Sequence, residues 1–469
     1  MRYNSPATQL ALVATTLLLT TAIRRLLNNH LLQITPPNTN LTYTQNLTTG
    51  ILTSLSSIIA IPLTNLAGPR PIFLFYTLTN TLYAASIIIF YQYNTHIYYK
   101  IANILNIMGS EFARVVTFGL VLAYPAEKWK ARTLAGFLIL EYFSITVGDI
   151  IAIRNTETPE SERFHAAISF LCITSLAPLP VLAMRPSSSS VVRSNGVHLV
   201  TRKTTAWREV TQTLRIFINR YMLLLLPYMF SYPFLFGCTN VWFPSILAFV
   251  LYDVGKLFII VLGQMLDVQW AGRRTRGLLG LSILVVFFCV SIGISAALRI
   301  LKYNLTGLDP LWPQDIQAQF IMDAVLSQQY NALMCSYFFA GTASSFIELF
   351  GYWVMGTLTN DLKASARFVG IYHCFMALGG ALGFWLPHIT RRGGFTSNVP
   401  MFVASGLTMV SFIGVGLVVG RIAETNDWTL ARINERATVY LEDTGGEVCL
   451  DPVVIVPDVK YHQNESHQS

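Results

Sequence analysis

The sequence is poor in charged residues. Asp, Glu, Lys and Arg make up 12% of its 469 residues, whereas soluble proteins carry about a quarter. Hydrophobic residues make up 53%, and the mean hydropathy is +0.50. This balance excludes an ordinary soluble globular protein. The formal net charge of +8 therefore indicates basic loops beside a membrane, not a nucleic-acid-binding surface.

The sequence also lacks the common signatures of catalysis and metal binding. Its six cysteines form no C-x-x-C pair, which argues against a disulfide framework or a zinc site. No G-x-x-x-x-G-K-[ST], H-E-x-x-H or G-x-S-x-G occurs, and the eight histidines are scattered. We therefore predict that the protein is not an enzyme or an ATP-driven pump, and that it needs no cofactor and no metal.

Long apolar blocks take the place of these motifs. A helix rises about 1.5 Å per residue, so about 20 apolar residues cross a hydrocarbon core of about 30 Å. Twelve blocks of this kind predict an all-α polytopic membrane protein. The predicted spans are 7–27, 47–66, 72–91, 101–124, 132–153, 164–184, 221–237, 244–266, 277–299, 331–357, 367–388 and 400–420.

One long polar segment divides the spans into two sets of six. It reads MRPSSSSVVRSNGVHLVTRKTTAWREVTQTLR and has the composition of a solvated linker. The predicted organisation is an N-terminal half at 1–184, a cytosolic linker with an amphipathic helix at 185–220, a C-terminal half at 221–420 and a loosely ordered cytosolic tail at 421–469.

The distribution of Lys and Arg predicts that both termini lie in the cytosol. With that orientation the inner loops, and above all the linker, are richer in basic residues than the outer loops. The sequons at Asn40, Asn46 and Asn304 then fall in outer loops and are candidate glycosylation sites. The sequence does not distinguish the plasma membrane from an endomembrane.

A short motif recurs at the inner end of the second span of each half. Each copy has an amide or acid, then a glycine turn, then arginine. The two copies are Asn65, Gly68 and Arg70 in NLAGPR, and Gly263, Asp267, Gly272, Arg273 and Arg274 in GQMLDVQWAGRR. Their equivalent positions indicate a duplicated six-helix unit, in which the acid is expected to contact an arginine that starts the next helix.

This arrangement resembles the major facilitator superfamily, whose inner loops carry a G-x-x-x-D-R-x-G-R-R-like motif. The resemblance implies two six-helix halves around a central site. The first copy departs from the pattern, because Asn65 stands where the family has aspartate and Ile61 where it has glycine. An intact charged latch is therefore expected only in the second copy.

Several stretches look like the uncoordinated-ninety-three (ion-channel regulatory protein) family, with fungal members the most similar in pattern. The stretches are MRYNSP, AYPAEKWKAR, the linker from VVRSNG to TAWREV, LLLPYMF, LD…RRTR and YWVMGTLTNDLKASARFVGIY. The chain lacks the N-x-R-T-R run before span 8 and has IRRLLNNH where the family has a glycine-rich end of span 1. The resemblance implies a facilitator fold, and a family that includes trafficking partners of channels and receptors.

Charged residues lie inside the apolar blocks. A charge at mid-bilayer costs about 2.5–3.5 kcal/mol on insertion scales, so such residues pair or face water. Glu111 and Arg114 are three apart on one helix face, and Glu141 in span 5 lies at the same depth. We predict that Arg114 bridges Glu111 and Glu141.

The second half has a parallel set. Asp253 and Lys256 are three apart in span 8, and Glu348 in span 10 lies at the depth of Lys256. One hypothesis is that both sets only neutralise themselves and fix helix packing. The other is that they line a cavity, where facilitator analogy favours Glu111, Arg114 and Glu348 for contact with a solute or a coupling ion. Glu141, Asp253 and Lys256 are then supporting charges.

Two functions remain open from the sequence. The first is a secondary transporter that moves a small organic solute or metabolite through the bilayer by alternating access. The second is a non-transporting regulator or trafficking partner of another membrane protein. The expected partners are thus the lipid bilayer and an unidentified solute or, for the second function, another membrane protein, with no nucleic acid.

Overall fold

The computed structural model describes residues 5–34, 39–93, 96–125, 127–154, 160–185, 205–239, 246–268, 271–306, 330–359, 361–392 and 398–422. All regular structure in these ranges is helical. The helices are α1 (Pro6–Ile34), α2 (Thr39–Ala67), α3 (Pro69–Tyr93), α4 (His96–Ala123), a 3-10 helix (Glu127–Trp129), α5 (Lys130–Arg154), α6 (Glu160–Leu176), α7 (Pro178–Leu182), α8 (Ala206–Ile218), α9 (Arg220–Thr239), α10 (Ile246–Leu257), α11 (Ile259–Asp267), α12 (Arg273–Thr306), α13 (Tyr330–Leu358), α14 (Leu362–Arg392) and α15 (Asn398–Val419).

Seven of the described helices are long and apolar enough to cross a membrane. The segments are Asn46–Ala67, Pro69–Phe90, Ile97–Ala123, Arg220–Cys238, Arg273–Ala297, Leu362–Leu386 and Val399–Val419. Two other predicted spans fall on interrupted helices. Span 6 is broken at Ala177 between α6 and α7, and span 8 at Phe258 between α10 and α11. The chain is therefore an integral multi-pass membrane protein, and the count of twelve crossings stays a prediction.

The helices extend further than the apolar blocks, which corrects the placement of the sequons. Asn40 and Asn46 lie within α2 and Asn304 within α12, where loops were expected. The reason is that a helix can continue past the hydrocarbon boundary, where water satisfies its terminal polar groups. The side chains of Asn40 and Asn304 lie outside the described residues, and glycosylation stays a prediction.

Close helix packing within the C-terminal half depends on glycine. Helix α14 packs along α9, and α9 also packs on α15. A Cβ at Gly379 or Gly383 would collide with the carbonyl oxygens of Phe230 and Phe234 on α9. Small residues four apart allow two helix backbones to approach closely. The G-x-x-x-G of span 11 therefore has the packing role that its spacing predicts.

The two sets of helices meet along two seams. Helix α2 packs against α14, and α5 packs against α10 and α11. Helices α4 and α13 lie between these seams, since α4 contacts α2 and α14, and α13 contacts α5, α10 and α12. Short linker helix α8 packs on the ends of α2, α9 and α14. We call this end of the bundle the linker side.

Candidate functional site

Two narrow accessible stripes mark the centre of the bundle. Between residues 109 and 123 of α4, only Ser110 and Arg114 are partly accessible. Between residues 341 and 356 of α13, only Ser344 and Glu348 are. Members of each pair are four residues apart and so share a helix face. Every other residue in these two segments is buried by protein. The stripes therefore face a space inside the protein and not the lipid.

Arg114 bridges two carboxylates. Its guanidinium lies 3.4 Å from Glu111 Oε1 and 2.6 Å from Glu141 Oε1 on α5. These contacts confirm the predicted bridge. The Arg114 side chain is 31% accessible, that of Glu141 17% and that of Glu111 6%. Glu111 lies behind the arginine and accepts a hydrogen bond from Ser57 of α2 at 3.3 Å.

The structure thus reverses the expected arrangement of the two acids. Glu141, expected to be a supporting charge, is the more accessible carboxylate, and Glu111, expected to line the cavity, is the buried one. The physical reason is the position of each on its helix: Glu111 faces α2, whereas Glu141 faces the space beside Arg114.

The charges of the second set are joined through α5. Lys256 forms an ion pair with Asp253 at 2.9 Å, as the spacing predicts. Asp253 also accepts a hydrogen bond from Thr146 of α5 at 2.6 Å. Within the described part of the chain, Asp253 is the one carboxylate of the predicted second set that is ion-paired with Lys256. Glu348 instead accepts a hydrogen bond from the Tyr142 hydroxyl at 2.6 Å.

Tyr142 stands between these two charges. The Lys256 ammonium lies 5.0 Å from the centre of the Tyr142 ring and 4.4 Å from that of Tyr252. Such cation–π contacts contribute about 0.5–2 kcal/mol, more when the groups are removed from water.

The depth of each charged residue along its helix was predictable from the sequence. The direction in which each side chain points across the interface between the helices was not.

A buried aromatic layer lies on the linker side of the charges. Phe118 of α4 stacks on Tyr352 of α13 with ring centres 4.3 Å apart. The Tyr352 hydroxyl is 2.6 Å from Nε2 of His373 on α14, and both residues are buried. Residues from both halves therefore close the bundle here.

The second copy of the repeated motif also holds the halves together. Asp267 at the end of α11 accepts hydrogen bonds from the backbone N–H groups of Ala131 and Arg132, at 3.0 and 2.8 Å. These are the first turn of α5, where the helix dipole favours an anion. Burial raises the pKa of the Asp267 carboxyl to about 6. The acid thus contacts a helix end of the other half, and not the arginine of the next helix as expected.

The other residues of this copy shape the contact. A Cβ at Gly263 would lie 2.8 Å from the Ala135 side chain, so glycine allows α11 to approach α5. Gly272 precedes α12, which begins with Arg273 and Arg274. Lys130 adds a further link, because its ammonium donates to the Gly356 carbonyl of α13 at 2.8 Å.

The first copy has a different partner. Gly68 has φ of 82°, which glycine adopts without strain, and Arg70 lies in the first turn of α3. The Asn65 amide donates to Glu209 Oε2 of α8 at 2.8 Å and to the Lys363 carbonyl of α14 at 3.3 Å. A linker residue has thus entered the contact between the halves.

Known proteins share parts of this sequence. No protein-family model matches the chain. An UNC93-like protein of Schizosaccharomyces pombe is 24% identical over 277 residues, 56% of this chain and 53% of that protein. The chain therefore spans about half the length of that relative. UNC93-like protein 1 of Arabidopsis thaliana is 24% identical over 366 residues, 74% of this chain and 76% of that protein.

These similarities support an UNC93-like family of major facilitator proteins. The fold is shown by solved structures. The fucose:proton symporter FucP of Escherichia coli superposes over 90% of this chain and 100% of its own, with a TM-score of 0.58 and 10% identity. The human organic anion transporter MFSD10 superposes over 87% and 99%, with a TM-score of 0.58 and 12% identity. By name, these proteins are transporters or UNC93-like proteins.

Sequence reasoning missed several residues of this candidate site. Tyr142 and Thr146 carry no charge and looked like ordinary residues of span 5, although their spacing of four places them on one face. Glu209 and Arg367 were also missed. The available signal was an acid on an otherwise basic amphipathic helix and an arginine within the first turns of span 11.

Proposed function

We propose that the chain is a secondary transporter that moves a small organic solute or metabolite by alternating access. The single observation that carries this proposal is the matched pair of stripes. Arg114 on α4 and Glu348 on α13 occupy corresponding places in the two halves, carry opposite charges and face the same internal space. A polar solute that contacts both would link its binding to the relative position of the halves.

The contacts on the linker side support this reading. Asp267, Lys130 and Asn65 each reach a group on the other half or on the linker, and all lie at one end of the bundle. Such contacts can break and reform as a set while the central residues stay in place. Alternating access needs this division between a fixed site and separable ends.

Transport is tested with the full-length protein in proteoliposomes. The vesicles are exposed to a mixture of water-soluble metabolites, and their contents are identified by mass spectrometry. We expect at least one solute to accumulate beyond empty liposomes, and Glu348→Gln to abolish that flux. Glu111→Gln should reduce it less, because Glu111 lies behind Arg114.

The matched control is Cys335→Ser, a change at an exposed position of the same helix as Glu348. It should leave the flux unchanged. If the wild type accumulates nothing, or if Glu348→Gln and Glu111→Gln transport as the wild type does while inserting normally, the transport proposal is wrong.

The alternative is a regulator or trafficking partner of another membrane protein. The observation that favours it is the neutral Asn65 in a motif that normally carries aspartate, together with similarity to proteins named only UNC93-like. Affinity purification from native membranes would return a stoichiometric membrane partner under this alternative, and vesicles would show no flux.

The orientation and the number of crossings belong to the same proposal. We infer twelve crossings with both termini in the cytosol, so that α8 lies on the cytosolic side. Sugar removal by an endoglycosidase should then shift the mass of the wild type, and Asn46→Gln or Asn304→Gln should reduce the shift. Modification of neither site, with antibody access to the C-terminal tail only from outside, would contradict this orientation.

A further inference from the structure

The two copies of the repeated motif, which we take as the inner-loop gating motif of the transporter proposed above, use different chemistry. In the second copy, both carboxylate oxygens of Asp267 accept from the first turn of α5. Asn65 holds the corresponding place in the first copy and faces the start of α14. Its contacts with Lys363 and Glu209 both use the amide as a donor. Asn65 therefore does not supply the negative charge that Asp267 supplies in the second copy.

A carboxylate from the linker stands beside it. Glu209 of α8 is completely buried, and Arg367 of α14 donates to it through Nε at 3.1 Å and through Nη2 at 3.0 and 2.8 Å. The Arg367 side chain is 7% accessible. Gln212, one turn further along α8, also accepts from Arg367. A guanidinium removed from water in this way requires an anion.

The same carboxylate oxygen joins the two halves. Glu209 Oε2 accepts from Asn65 of α2 at 2.8 Å and from Arg367 of α14 at 2.8 Å. We propose that Glu209 replaces the carboxylate missing from the first gating motif, and that the linker helix α8 is thereby a working part of the gate.

This arrangement determines where the gate separates. Helix α8 is bound to Arg367 by several charged hydrogen bonds and is joined to α9 through Asn219 alone. Asn65 contributes one hydrogen bond to Glu209. Helix α8 therefore moves with the C-terminal half, and the contacts of Asn65 are the ones that break. The linker therefore positions the Glu209 carboxylate for the conformational cycle, in addition to connecting the two halves.

The test measures gate opening and requires no solute. Leu122 of α4 is fully buried against Gly356 of α13, on the linker side and away from α8. In the full-length protein carrying Leu122→Cys, reconstituted in nanodiscs, the rate of modification by a hydrophilic maleimide is followed by mass spectrometry of that peptide. We expect Glu209→Gln to raise this rate about tenfold, because Arg367 loses its anion.

The decisive variant is Asn65→Asp, whose effect should change sign with its background. In the wild type it places two carboxylates side by side and should raise the rate. In the Glu209→Gln background, Asn65→Asp restores an anion near Arg367 and should lower the modification rate at least about threefold. Arg208→Gln, at an exposed position of the same helix, should change neither.

Loss of folding cannot imitate this result, because the same substitution must act in opposite directions in two backgrounds. If Glu209→Gln leaves the rate unchanged, or if Asn65→Asp has the same sign in both backgrounds, Glu209 is only a packing residue and the proposal is wrong. Transport plays no part in the readout, so failure of the transport proposal would be seen separately.

Discussion

The two halves of the bundle place charged residues at matching positions but neutralise them differently. In the N-terminal half, Arg114 has two carboxylate partners, Glu111 and Glu141. In the C-terminal half, Glu348 has a hydroxyl partner, Tyr142, and no basic residue within ion-pair distance in the described ranges. In the α4 stripe, Arg114 is thus a cation neutralised by two carboxylates. In the α13 stripe, Glu348 is a carboxylate that accepts a hydrogen bond from a neutral hydroxyl.

The contrast continues at the linker side. The C-terminal half contributes the charged Asp267, whereas the N-terminal half contributes the neutral Asn65. The two copies of the repeated motif thus match in position and differ in chemistry. Under the transport proposal, the two stripes would offer a solute one positive and one negative contact.

The largest effect should follow removal of the compensated cation. Arg114→Met keeps much of the side-chain volume but leaves the carboxylates of Glu111 and Glu141 without a counter-charge. We expect thermal unfolding in nanodiscs to show a loss of about 3 kcal/mol. Glu141→Gln in the same chain should restore part of it. Equal stability of Arg114→Met and the wild type would show that the bridge contributes nothing.

A smaller effect should follow at the neutral donor. Tyr142→Phe removes the hydroxyl that Glu348 accepts from, but keeps the ring beneath Lys256. We expect a loss of about 1 kcal/mol, since a partly buried acceptor loses its donor. The comparison with Glu348→Gln sharpens the result, because that change keeps an acceptor and should cost less. The reverse order would contradict the assigned bond.

A still smaller effect is expected at Thr146. Thr146→Val keeps the shape of the side chain and removes the hydroxyl that donates to Asp253 at 2.6 Å. Asp253 retains its ion pair with Lys256, so the loss should be about 1 kcal/mol. Unfolding measured beside Thr133→Val, a partly exposed threonine of α5 whose hydroxyl donates to the Trp129 carbonyl, provides the reference.

The last expected effect is a pH dependence of the contacts on the linker side. The Asp267 carboxyl has its pKa raised to about 6 in the latched structure by burial, against about 4 when exposed. The latched form therefore binds protons more readily, so acidification from pH 7 to 5 favours it, and this stabilisation is lost as pH rises through 6. Spin-label distances across the linker side should shorten at low pH, and Asp267→Asn should abolish the shift. A change of opposite sign would exclude this assignment.

The sequence predicted contacts between residues on one face of the same helix, and between residues at the same depth in the membrane on neighbouring helices. Arg114 and Glu111 share a helix face, and Glu141 lies at their depth, so their contact followed from spacing and from the cost of an unpaired charge. Lys256 and Glu348 were placed at one depth but have different partners in the described ranges, because depth says nothing about rotation about the helix axis. Packing of α5 against α13 decides that rotation, and it places Tyr142 between them.

The gate shows the same limit. Glycine turns and the acid of the second copy were visible in the sequence, but the partner of Asp267 lies on the other half. The role of Glu209 could not be predicted, because the docking of a linker helix is a tertiary event that no local spacing encodes. The amphipathic pattern predicted the helix and not the carboxylate that it delivers to Arg367.

The most direct test of the central claim asks whether the two stripes line one water-filled path. Ser110→Cys and Ser344→Cys each place a thiol on a stripe, and Ala113→Cys and Ala343→Cys place one at buried neighbours. In oriented vesicles, we expect a membrane-impermeant maleimide applied opposite the linker side to modify both stripe positions and neither control. Modification of the stripe positions only by a lipid-soluble reagent, or at the rate of the buried controls, would contradict an internal solute site.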